Sequence, residues 1–109
     1  MADYHEHSDL NLLKELFALA KPESDGYLAL NKAFNRTDGA IPKKYRELMA
    51  LAVALTTQCP YCLDVHIAAA KRAGATKEEV AETSLIAATL RAGAAITHGT
   101  LALKLYDRS

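Results

Sequence analysis

Apolar residues recur every three or four positions along most of this chain and almost nowhere alternate with the two-residue period of a strand. Leu, Ala, Lys and Glu dominate and β-branched residues are scattered, so local preference supports helix throughout. Asp9 can cap a first helix over residues 9–20, with Leu10, Leu13, Leu16 and Phe17 on one face, and Pro22 is expected to stop it. A weaker helix follows over residues 24–34, then turn chemistry at Thr37, Asp38 and Gly39. Pro42 suits a helix start, because its missing N–H is no loss in a first turn. The stretch from Lys43 to Thr57 is apolar nearly all round, with Glu47 near its head. Gln58 to Pro60 interrupts it. Cys59 and Pro60 read as the cap and first residue of a helix running to Arg72 and ending at Gly74. Thr76 and Glu79 form a capping box for a helix over residues 77–91. Residues 92–106 continue the pattern, weakened at Gly93 and Gly99, where a kink or a close helix contact is expected. The expected fold is all-α, a compact single domain over residues 1–109 with five to six helices.

Composition narrows the function. Half of the 109 residues are apolar, enough for a core without disulfide staples. Thirteen Lys and Arg balance thirteen Asp and Glu, so no basic field is expected to gather nucleic acid or an anionic membrane. No apolar run approaches the roughly 18 residues of a bilayer span. The start, Met1 to Asp9, is polar, carries His5 and His7, and lacks a signal-peptide pattern; a solvated terminus accounts for both histidines. A cytoplasmic location is expected, and there a lone Cys-x-x-Cys is more often catalytic or metal-binding than structural.

The chemistry concentrates at Cys59-Pro60-Tyr61-Cys62, the only two cysteines of the chain, with His66 four residues on and Glu47 twelve before. On a helix of ~100° per residue, Cys62 and His66 lie about 60° and 20° from Cys59, so all three share one stripe. A helix start lowers a thiol's pKa, because first-turn N–H groups and the dipole favour the thiolate nucleophile. Glu47 stands on the preceding helix. Facing the thiols, it would be a buried carboxylate with a raised pKa, fit to act as a general base, and His66 would relay the proton. Plainer readings exist for each residue: two small core cysteines, a satisfied histidine, a first-turn glutamate complementing the helix dipole. Zinc is the sharper rival, since two Cys, a His and a Glu are ligand types it accepts, although structural zinc sites normally use a second Cys or His pair. His98 is isolated and has no assigned role.

Glu47, eleven residues, Cys59-x-x-Cys62, three residues, His66 resembles the signature of alkylhydroperoxidase D-like proteins of the carboxymuconolactone decarboxylase superfamily. Arg46-Glu47-Leu48, the Arg72-Ala73-Gly74-Ala75-Thr76 turn and Glu78-Glu79-Val80 agree with it, so the similarity covers roughly residues 38–106. The resemblance implies an all-α fold assembling as a homotrimer or homohexamer, and a thiol-dependent peroxidase or disulfide reductase with no bound cofactor. It implies that Cys62 attacks the peroxide, Cys59 resolves it, and Glu47, with His66, takes the thiol proton. It also implies a hydroperoxide substrate and a dithiol donor, a lipoyl group or a thioredoxin-like protein. Two departures stand out: Tyr61 replaces the histidine that well-known members carry between the cysteines, and the N-terminal part is short. Lactone decarboxylases of the superfamily lack the cysteine pair. Acid–base chemistry by Glu47 and His66 on a small cyclic acid remains the alternative, as does a zinc-binding or assembly domain.

Overall fold

A computed structural model describes residues 5–108; Met1–Tyr4, part of the polar start read above, and Ser109 lie outside the described residues. A 3-10 turn, His7–Leu12, leads into α1 (Leu13–Leu19), α2 (Lys21–Phe34), α3 (Lys43–Thr57), α4 (Pro60–Arg72) and α5 (Lys77–Arg108). There is no strand among the described residues, so the all-α expectation holds.

Three element boundaries differ from the sequence reading. Pro22 does not stop the first helix: the chain breaks at Ala20, whose φ of −132° and ψ of 64° are non-helical, and Pro22 sits inside the first turn of α2, where its missing N–H is harmless. Asp9 does not cap α1. It lies inside the 3-10 turn, where its carboxylate accepts the Glu6 N–H at 3.0 Å. Gly93 and Gly99 do not divide the last segment either, which is one 32-residue helix about 48 Å long at 1.5 Å per residue.

Most other punctuation works as the residues suggest. Thr76 and Glu79 exchange capping hydrogen bonds of 2.8 and 3.1 Å at the head of α5. Gly74 takes φ +97° just past α4, which a residue with a side chain rarely adopts. Gln58, at φ 56° and ψ 51°, also takes the left-handed conformation and turns the chain sharply from α3 into α4. For a residue with a Cβ this costs roughly 1–2 kcal/mol, and the turn it makes delivers Cys59 directly to the start of α4.

Helix α3 is the centre of the packing, with α4 and α5 against it. Lys44 reaches Glu79 at 3.0 Å near one end, and Arg91 caps the Thr56 carbonyl at 2.8 Å near the other, so α3 and α5 run the same way. The pair α1–α2 folds beside them and the 3-10 turn leans on α4. Glu47, Leu51 and Ala54 form the buried stripe of α3, at the four- and three-residue steps of a helix face. Arg46 secures the loop after α2 by donating to the Phe34 carbonyl at 3.1 Å and the Ile41 carbonyl at 2.8 Å. Its guanidinium occupies the space beside Gly39 that a Cβ would fill.

The radius of gyration is 18.0 Å, against about 13 Å for close packing at this length. The excess reflects the overhanging α5. Large apolar side chains stay open along it, with Ile96 75% and Leu103 70% exposed, and Met49 and Val53 of α3 are more than half open.

Candidate functional site

Helices α3 and α4 bring all four sequence-selected residues into one place. Cys59 and Cys62 are joined by a disulfide with their Cα atoms 5.3 Å apart. The Cys59 sulfur is the cap of α4 and accepts the Cys62 N–H at 3.2 Å. One turn beyond Cys62 on the same stripe, His66 Nδ1 lies 2.7 Å from Glu47 Oε2. Glu47 is 1% exposed, so its carboxylate enters the site from the core side. Its hydrogen-bonded neighbours are His66 and Lys43, whose Nζ lies 2.7 Å from Oε1.

This arrangement corrects the expected raised pKa of Glu47. Burial does push it up, but hydrogen bonds from Lys43 and His66, reinforced by their charges, outweigh that and hold the carboxyl below its ordinary value. Glu47 is therefore ionised at neutral pH. An ionised carboxylate only accepts, so His66 Nδ1 carries the hydrogen and donates it. In that tautomer the lone pair of the ring lies on Nε2. Glu47 thereby fixes the orientation of the imidazole.

The sequence reading missed Lys43, Phe34 and Asp9. Lys43 was legible, since Lys and Glu four residues apart on a helix are neighbours. Phe34 presents its ring edge to the His66 ring, centroids 5.9 Å apart, while Lys43 Nζ stands 5.0 Å from its centroid; only tertiary packing brings that ring there. Asp9 accepts the Tyr61 hydroxyl at 2.7 Å, and His5 stands edge-on to the Tyr61 ring at 5.5 Å. His7 pairs with Asp64. His5 and His7 stay exposed, as a solvated terminus implies, while each touches α4 at the surface. No group of three or more His, Cys, Asp or Glu among the described residues could hold a metal ion, and in this state both sulfurs are bonded to each other.

A cleft of about 660 Å³ opens over the site. Leu13 and Phe17 of α1, Tyr27 and Leu28 of α2, and Val65 and Ala69 of α4 give it an apolar lining. Cys62, Glu47 and His66 line it, whereas Cys59 does not. A molecule entering the cleft would therefore meet Cys62 of the two sulfurs.

Comparison with known proteins establishes the family. Residues 24–105 match the model of the carboxymuconolactone decarboxylase family. The chain is 46% identical over 83 residues to uncharacterized protein 4 in cox locus of Paracoccus denitrificans, covering 76% of this chain and 74% of that protein. It is 33% identical over 70 residues to an uncharacterized protein of Cupriavidus necator, covering 64% of this chain and 62% of that one. With most of its helical length, from α2 to near the end of α5, inside the matched region, the chain belongs to the carboxymuconolactone decarboxylase family.

Proposed function

We propose that this chain is a cytoplasmic, thiol-dependent enzyme that reduces organic hydroperoxides with its Cys59/Cys62 pair. The observation that carries this reading is the placement of Cys62 in an apolar cleft beside an imidazole whose free nitrogen is set by a buried carboxylate.

In the reduced protein, His66 Nε2 takes the Cys62 proton. The thiolate attacks the terminal peroxide oxygen, the O–O bond breaks, and the leaving alkoxide takes a proton from His66 and departs as the alcohol. Cys62 is then a sulfenic acid. The Cys59 thiol attacks its sulfur, water leaves, and the disulfide forms, so two thiols are oxidised for one peroxide reduced. A dithiol donor, a lipoyl group or a thioredoxin-like protein, restores the pair by exchange. Cys62 is the sulfur open to that donor from the cleft. Cys59 is then the leaving thiolate, stabilised by the N–H groups at the start of α4.

The test is intact mass and free-thiol count on reduced protein before and after one equivalent of cumene hydroperoxide. Loss of both thiols and of two hydrogens is expected. Two persistent thiols would remove peroxide chemistry, and turnover of a small cyclic acid after alkylation of both thiols would select acid–base chemistry by Glu47 and His66 instead.

The reading includes self-association. Open apolar side chains on α3 and along α5 form a surface that a monomer would leave in water, and further copies of the chain would cover it. Light scattering is expected to give three or six times the 11.8 kDa of one chain; a monomer at micromolar concentration would remove this part.

A further inference from the structure

We infer that the substrate is a hydroperoxide carrying a carboxylate at the far end of a long apolar chain, and that Arg72 is the group that receives that carboxylate. The inference rests on the peroxide reading of Cys62 and specifies which peroxides the cleft prefers.

Along α4 the lining of the cleft runs from Cys62 and His66 to Arg72 and Ala73. Ten residues of helix separate Cys62 from Arg72, about 15 Å along the axis at 1.5 Å per residue. The rest of the lining is mostly apolar, with Leu13, Phe17, Leu28, Val65 and Ala69, and Asn31 and Asn35 are its neutral amides. A compact peroxide would leave most of that length unfilled, whereas a long acyl chain would lie along it.

Two cations line the cleft, and they differ in their commitments. Lys43 is held by Glu47 at 2.7 Å and also donates to Asn35 Oδ1. Arg72 makes no ion pair or side-chain hydrogen bond with any described residue. A planar guanidinium with all its donors unspent at the mouth of an apolar cleft fits a carboxylate, which it can bind through two parallel hydrogen bonds. Arg72 also stands in the last turn of α4, where a cation complements the helix dipole. That role needs only charge near the helix end and does not call for a place on the cleft wall.

The test measures the rate of Cys59–Cys62 disulfide formation on reduced protein with linoleic acid hydroperoxide and with its methyl ester, below their micelle concentrations. The free acid is expected to react about tenfold faster than the ester, the worth of one charge-assisted pair at a partly exposed site. In Arg72→Gln the ratio of acid to ester should fall close to one, and Arg72→Lys should recover part of it. Equal rates for acid and ester in the wild-type protein would overturn the inference, as would an unchanged ratio in Arg72→Gln. Should no hydroperoxide oxidise the thiols, the peroxide reading itself fails. The carboxylate subsite is then decided by calorimetric titration of laurate and of lauryl alcohol into the disulfide form. Tighter binding of laurate, lost in Arg72→Gln, would uphold the subsite; equal binding would sink it.

Discussion

Cys62→Ser is expected to abolish peroxide turnover, while Cys59→Ser should consume one equivalent of hydroperoxide and stop. The asymmetry follows from where the two sulfurs lie. Cys62 lines the cleft one helical turn from His66, and Cys59 caps α4 away from it. Without Cys62, no thiolate stands where a peroxide can approach, and a serine hydroxyl cannot replace it at neutral pH. Without Cys59, the sulfenic acid at Cys62 forms but finds no partner thiol in the chain, since there are only two cysteines. Intact mass should then show one added oxygen, trapped by a sulfenic-acid reagent. Full activity in Cys62→Ser, or an oxygen added to Cys59 in that variant, would reverse the assignment of roles.

The second large effect is expected at Glu47. Glu47→Gln keeps the shape of the side chain and removes its charge, so His66 loses the carboxylate that accepts its Nδ1 hydrogen and holds the ring in place. Losing a tuned general base typically costs 10²–10⁴-fold, and the lower end, about 10²-fold in the rate of thiol oxidation, applies because the imidazole itself remains. The same substitution changes the acid response of the fold. Glu47 is held below its ordinary value of 4.5 in the folded protein, so the stability it contributes is present above that value and is lost as pH falls through the lower folded value. The thermal stability of the wild-type protein should weaken as the pH drops below 4.5. Exposed carboxylates contribute to that slope in both proteins, so the difference between wild type and Glu47→Gln isolates the buried group. A variant that oxidises at the wild-type rate would reduce Glu47 to a packing element, and parallel acid profiles would place its charge outside the stability of the fold.

The fate of Glu47 shows where reasoning from the chain stops. Its place at the head of an apolar helix, twelve residues before the first cysteine, was plain from the order of residues. Its protonation state was not, because burial and ion pairing push in opposite directions and their balance depends on atoms 2.7 Å away on two sides. Lys43 could have been anticipated from helical spacing; His66 could be suspected but not placed, because it lies on another helix. Tyr61 shows the same division. Its substitution for a histidine between the cysteines could be read directly, whereas its hydroxyl bond to Asp9, 52 residues away, belongs to the path of the N-terminal turn across α4.

The sequence by itself determined the helices, the caps at Cys59 and Thr76, the left-handed exit at Gly74, and the stripe that aligns Cys62 with His66. These are local matters, set by backbone geometry and by neighbours within one or two turns. Only the tertiary structure decided that α3 lies between α4 and α5, that Glu47 is ionised by its partners rather than neutralised by burial, and that Cys62 rather than Cys59 lines the cleft. It also decided that Arg72 lines that cleft and pairs with no carboxylate among the described residues. Those facts depend on distances between residues far apart in the chain, and electrostatic balance at such distances is set by packing that no spacing of residue types encodes.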